Sequence, residues 1–206
     1  MSYNENIKRE ANSWYKRNRD YINNKTNFYY IDPILKYIDQ NNHVLEIGCS
    51  NGVNLNYISQ NINCVLHGID ASSEAISDGI KKYPNFKFDN SCAQDSPLLD
   101  LRYNNVILGF CSYLINDDYL LSLLLKIVES IRPGGFLHIV DFDYPHTLEK
   151  EYTHDSTLLV YKRNYSDWIS KNSNLQLVEK TPWTHHSNKF CTDINERCAT
   201  LTFYKE

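Results

Sequence analysis

The sequence predicts an α/β fold with a largely parallel sheet, and three observations carry that expectation. Apolar runs of strand length alternate with helical spacing: residues 44–47 precede Val53, Leu55 and Ile58, residues 64–69 precede Ile76 and Ile80, and residues 105–111 precede a leucine-rich stretch. The first run enters a turn containing Gly48 and Gly52. The second ends in Asp70, 22 residues beyond Gly48, near the spacing of about 20 at which nucleotide-binding α/β folds place an acid on ribose hydroxyls.

Taken in order, residues 5–25 read as a polar helix whose Lys8, Arg9, Lys16, Arg17, Arg19 and Lys25 are interleaved with Glu10 and Asp20. Asp32 and Pro33 open a short helix as cap and first residue, with Ile34, Leu35 and Ile38 as its buried stripe. After the first strand, Gly48 and Gly52 give the backbone conformations that other residues resist. The helix from Val53 then aims unpaired N–H groups at an anionic ligand. Ser72 caps the next helix, with Ile76, Ile80 and Tyr83 on one face and Pro84 as its stop. A short strand at 86–88, a polar loop at 89–97 and a strand at 105–111 follow. Asp117 or Asp118 caps a helix reaching Ile131, the turn 132–135 ends it, and residues 136–140 form another strand. Residues 166–173 read as a helix, and residues 175–178 and 198–204 as strands.

With 206 residues, 42% of them hydrophobic, and no repeat, the chain is expected to form one domain over 1–206. A net charge of −4 argues against broad binding to nucleic acid, which rests on neutralising phosphates with Lys and Arg. No apolar run approaches the ~18 residues that span a bilayer and the N-terminus is not signal-like, so no membrane association and a cytoplasmic location are expected. Six scattered cysteines without a Cys-x-x-Cys pair suggest neither a disulfide framework nor a zinc site, and His185, His186, Cys191 and Cys198 match no standard metal spacing, so no metal is expected. The sequence carries no signal for an oligomeric state.

Competing cofactors are weighed on the same turn. It reads G-x-x-x-G rather than the G-x-G-x-x-G of dinucleotide folds, and no Gly-Lys-Ser/Thr follows for a phosphate loop. Glu46-Ile47-Gly48-Cys49-Ser50-Asn51-Gly52 resembles motif I of the class I S-adenosylmethionine-dependent methyltransferases, in a form like that of small bacterial members. Gly68-Ile69-Asp70-Ala71-Ser72 resembles their acidic motif, and Ile131-Arg132-Pro133-Gly134-Gly135-Phe136-Leu137 the turn before their fifth strand.

This resemblance implies a Rossmann-like seven-stranded sheet, mostly parallel, with an antiparallel C-terminal hairpin and helices on both faces. It implies S-adenosylmethionine as cofactor and S-adenosylhomocysteine as product. Glu46, Gly48, Cys49, Ser50, Gly52 and Asn54 would surround the amino-acid end, Asp70 and Ala71 the ribose, Ala93 and Gln94 the adenine, and Gly109 and Phe110 the methyl group. Residues 1–40 would form a helical cap, with Trp14 or Tyr15 over the cofactor and Arg17 or Asn18 on its carboxylate. Ser50 replaces a frequent glycine, and Cys92 a frequent aspartate.

Methyl transfer from a sulfonium is a displacement in which the protein mainly positions a nucleophile, with a base needed only where that nucleophile must lose a proton. Residues 142–165, inserted beyond the fifth strand, are rich in polar and aromatic groups and suit a substrate pocket. Within that stretch His154, with an ordinary pKa of about 6.5, is expected as general base and Asp143 as its partner. Tyr113, His146, Tyr161 and Lys162 are expected to meet substrate. The resulting expectation is methylation of an O or N atom of a small polar molecule, such as a sugar, sugar nucleotide or secondary metabolite. The alternatives are a protein or RNA methyltransferase docking through the basic N-terminal helix, and a non-catalytic cofactor-binding regulatory subunit suggested by Ser50 and Cys92.

Overall fold

A computed structural model describes residues 2–206. The chain opens with α1 (Tyr3–Asn23), started by a capping box in which Ser2 and Glu5 satisfy each other's backbone N–H. The short α2 (Asp32–Leu35) follows. It is preceded by Ile31, with Asp32 inside the helix rather than capping it; Ile34 and Ile38 are buried as expected.

Next come β1 (His43–Ile47), α3 (Val53–Asn61), β2 (Val65–Asp70), α4 (Ser73–Lys82), β3 (Lys87–Asn90) and β4 (Tyr103–Gly109). Ser72 caps α4 by accepting the Ala75 N–H at 3.1 Å. The buried face of α4 is Ala75, Ile76 and Gly79, whereas Ile80 is 53% exposed, because α1 packs on the Ala75 side and leaves Ile80 facing outward. α5 (Asp117–Ser130) is capped by Asn116, whose side chain accepts the Tyr119 N–H, and not by Asp117 or Asp118.

β5 (Ile131–Phe142) begins where a turn was expected. Ile131 already pairs with Tyr103, and residues 132–135 form an irregularity inside the strand before Phe136 resumes pairing opposite Asn105. β6 (Leu148–Tyr152) and β7 (Asp155–Lys162) form a separate antiparallel hairpin within the stretch read from sequence as pocket lining. α6 (Tyr165–Asn172), β8 (Gln176–Trp183) and β9 (Cys198–Tyr204) complete the chain.

The main sheet has seven strands in the order β3-β2-β1-β4-β5-β9-β8. β1 to β5 run parallel, and β9 lies antiparallel between β5 and β8. One face packs against α5 and α6 through Leu120, Leu124, Ile127 and Ile169, the other against α2, α3 and α4 through Ile34, Leu55, Ile58 and Ile76. Strand order reverses between β1 and β4, so the crevice beyond their carboxyl ends is where an open parallel sheet receives a ligand. Among the described residues no helix is long and apolar enough to cross a membrane.

Candidate functional site

A cavity of about 370 Å³ opens at that crevice, roofed by α1. Its floor is the turn after β1, with three residues in the left-handed region: Gly48 (φ 78°), Ser50 (φ 51°) and Gly52 (φ 82°). A Cβ on Gly48 would lie 2.7 Å from the Gly109 carbonyl oxygen, so glycine lets β1 and β4 close together beneath the ligand space. A Cβ on Gly52 would strike the Phe88 ring at 2.7 Å. Gly52 is therefore a packing residue at the start of α3 and does not line the cavity, whereas Gly48, Cys49 and Ser50 do.

Asp70 and Ala71 stand at the next strand end and line the cavity. The Asp70 carboxylate accepts the N–H groups of Ser50 at 2.8 Å and Ser72 at 2.7 Å. Burial raises its pKa, opposed by those two N–H groups. Glu46 is fully buried: Oε1 accepts Asn54 Nδ2 at 2.7 Å, while Oε2 has no partner. Burial pushes Glu46 up to about 7. The Tyr30 hydroxyl donates to Asn54 Oδ1 at 2.7 Å, fixing the amide. Ser50 Oγ is likewise buried without a partner.

Lys25 reaches this corner from just beyond α1. Its ammonium lies 4.3 Å from the centre of the Tyr30 ring and within 6 Å of Tyr21 and Phe28. Among the described residues it forms no ion pair within 4.0 Å. Burial lowers its pKa to about 8, with Glu46 acting in the opposite sense. Lys25, which lines the cavity, and buried Glu46, whose Oε2 has no partner, thus place opposite charges at one end of it.

At the other end of the cavity, Ala93 and Gln94 line the wall, and Gln94 Nε2 donates to Asn4 of α1 at 2.7 Å. Cys92 Sγ faces the Asn4 carbonyl at 3.8 Å, tying the same loop to the roof. Tyr15 lines the cavity and donates to Asp78 of α4. Asn18 also lines it, but its amide donates to the Trp14 carbonyl at 2.9 Å. Arg17 is held by buried Glu10 at 2.5 Å and by the Tyr152 hydroxyl, outside the cavity. The basic side chain that lines this end of the cavity is Lys25, not Arg17.

Beyond Gly109, Phe110 adopts a left-handed conformation (φ 49°) and lines the cavity with Tyr29, Tyr113, Trp183 and His185. Tyr113 is the one expected substrate residue that reaches it. His154, the expected base, lies exposed at the β6–β7 turn against Tyr152, and Asp143 is paired with Lys180 at 2.7 Å. His146 is exposed beside Tyr144; Lys162 is buried over the Phe142 ring and donates to the Asn195 carbonyl at 3.3 Å. None of these, nor Tyr161, lines the cavity. The hairpin is the reason: it turns Tyr152, Leu158 and Val160 inward against Tyr113 and leaves its polar residues on the far side. Lys25, Tyr29, Tyr30, Trp183 and His185 went unmarked because they come from chain ends and loops with no motif of their own.

Residues 44–135 match a family model described as a methyltransferase domain. No curated protein matches the sequence. Among solved structures, the Burkholderia thailandensis 1,6-didemethyltoxoflavin-N1-methyltransferase, bound to 1,6-didemethyltoxoflavin and S-adenosylhomocysteine, superposes with a TM-score of 0.75. The identity is 12%, over 100% of this chain and 91% of that one. The partner of the Trm112 methyltransferase activator in a Haloferax volcanii complex gives 0.71 at 15% identity, over 97% and 98% of the two chains. The N-methyltransferase NodS from Bradyrhizobium japonicum, with S-adenosylhomocysteine, gives 0.61 at 14%, over 94% and 88%. At such identities the likeness is one of fold.

Proposed function

We propose that the chain is an S-adenosylmethionine-dependent methyltransferase, in keeping with the methyltransferase-domain match over residues 44–135, and that it transfers the methyl group to an oxygen or nitrogen atom of a small molecule. The observation that carries this reading is the end of the cavity where Lys25 and Ser50 line the wall beside buried Glu46, whose Oε2 has no partner, with the Asp70 carboxylate lining the same cavity at the end of the neighbouring strand.

The cofactor fits these residues. Glu46 would take its ammonium, Lys25 its carboxylate and Asp70 its ribose hydroxyls, in charge-assisted hydrogen bonds that each gain from the low local dielectric. When bound, the cofactor supplies an electrophilic methyl on a positively charged sulfur. The chain's own contribution is to orient the two reactants and keep water out, and α1 does the second by covering the crevice.

A small acceptor is supported by the roof itself. Arg9 bonds Asp155 and Thr157 of the hairpin, and Arg17 bonds Tyr152, so β6–β7 braces the helix that roofs the cavity. Of the basic side chains of the N-terminal helix, Arg9 and Arg17 are drawn into these contacts and Lys16 into one with Glu74, which leaves less of a docking face for RNA or protein. Two structural relatives are named N-methyltransferases, one solved with bound 1,6-didemethyltoxoflavin.

Calorimetric titration with S-adenosylhomocysteine, followed by incubation of the full chain with methyl-labelled cofactor and a metabolite extract, tests the reading. Tight binding and label in a small product are expected. Absence of binding would remove the cofactor assignment, and label found only in protein or RNA would remove the acceptor assignment.

A further inference from the structure

Beyond Gly109 the cavity wall is made of rings whose polar atoms are already committed elsewhere. Trp183 donates its indole N–H to Thr200 Oγ1 at 3.2 Å, and the Tyr29 hydroxyl donates to the Thr184 carbonyl at 2.8 Å. Phe110 and Tyr29 stand 5.9 and 6.1 Å from Trp183, centre to centre. What this wall offers a ligand is aromatic surface.

His185 is the exception. It lines the cavity edge-on to Phe110 at 5.4 Å and to Trp183 at 6.0 Å, and its Nε2 has only the Cys198 sulfur, 4.0 Å away, as a weak neighbour. The residue is also open to solvent, so a proton it accepts has a way out. A saccharide placed here would leave most of its hydroxyls facing carbon, without partners. A flat ring would stack, and a single polar group on it would find the imidazole.

Resting on the methyltransferase reading, we propose that the acceptor is a planar aromatic or heteroaromatic molecule carrying an ionisable O–H or N–H. It lies against Phe110 and Trp183, and His185 takes its proton. In the step, a lone pair of the acceptor oxygen or nitrogen forms the bond to the methyl carbon. The carbon–sulfur bond breaks with its electron pair on sulfur, turning the sulfonium into the thioether of S-adenosylhomocysteine. The acceptor's proton passes to the imidazole and then to water. Partial burial of the ring lowers the His185 pKa, with His186, Lys162 and Lys25 acting in the same sense and Glu196 opposing, a direction that favours the neutral imidazole.

Saturation-transfer NMR on the full chain loaded with S-adenosylhomocysteine, offered 8-hydroxyquinoline and 2-hydroxypyridine beside glucose and sorbitol, tests the ring site. Saturation of the two aromatics and not of the polyols is expected. Polyols alone, or no compound at all, receiving saturation overturns the proposal. With S-adenosylmethionine, the bound aromatics should be methylated, and His185→Gln should lower turnover by about 100-fold without changing affinity for S-adenosylhomocysteine, while abolishing the fall in rate at acid pH. Binding without methylation, or turnover within twofold of the parent in His185→Gln, overturns the base assignment. Failure of S-adenosylhomocysteine to bind sinks the methyltransferase reading itself, a result separate from either of these.

Discussion

The carboxylate of Asp70 accepts the main-chain N–H of Ser50 at 2.8 Å, so the acid at the end of β2 holds the turn at the end of β1 in shape. Its other oxygen accepts the Ser72 N–H at the entry to α4. One side chain thus fixes both backbone segments that border the ribose position.

Asp70→Ala should weaken S-adenosylhomocysteine binding by about 1.5–3 kcal/mol, the range for losing charge-assisted hydrogen bonds. Asp70→Asn can still accept one backbone N–H and should lose less. Calorimetry on both variants checks the order, and equal affinity in all three proteins would take Asp70 out of the site.

Lys25→Met should act with opposite signs on stability and binding. The Lys25 pKa in the fold, about 8, lies below its ordinary 10.5, so the folded state binds fewer protons between those values. The cost of burying the charge is therefore present below pH 8 and is relieved as pH rises towards the ordinary value. Removing the amine should raise the melting temperature of the free protein at neutral pH and lower its affinity for S-adenosylhomocysteine. Binding of 5′-methylthioadenosine, which lacks the amino-acid end, should be unaffected. In the parent protein, S-adenosylhomocysteine affinity should decline above pH 8, where binding requires Lys25 to regain a proton.

Ser50→Gly removes a left-handed non-glycine backbone and a buried hydroxyl without a partner. Strain relief of about 1–2 kcal/mol, reduced by the greater freedom of glycine in the unfolded chain, leaves a net gain of roughly 0.5–1 kcal/mol. Urea denaturation reads that gain, and calorimetry should show a several-fold loss of cofactor affinity. A destabilised variant would mean the hydroxyl has a role in the free protein.

Arg163 is fully buried, and its guanidinium bonds Asp117 Oδ1 at 2.7 Å and the carbonyls of Ser112, Ile115 and Tyr161. It therefore staples the loop after β4 to the hairpin. Arg163→Ala should cost roughly 2–5 kcal/mol, from the cavity and the stranded carbonyls together. Chemical denaturation measures it; a change below 1 kcal/mol would mean the loop holds itself.

The parallel core was legible because period and punctuation agree there: β1, the two glycines and Asp70 lie within one continuous stretch whose chemistry is local. The cavity wall next to Asp70 comes from the same stretch. The wall proposed for the acceptor does not, because it is assembled from residues distant in the chain. Lys25 and Tyr29 lie before β1, Phe110 after β4, Trp183 at the end of β8 and His185 between β8 and β9. The polar run at 142–165 misled for a related reason. The hairpin leaves Glu149, Lys150 and Glu151 exposed while Lys162 is buried against Phe142, and composition alone does not say which way a hairpin faces.

The roof over the crevice is sutured by Asn4 to Gln94, Tyr15 to Asp78 and Asn12 to Ser72 on one side, and by Arg9 and Arg17 to the hairpin on the other. On the proposed function, a donor that enters or leaves past this roof would have to part some of these stitches, so weakening them should speed exchange of S-adenosylhomocysteine.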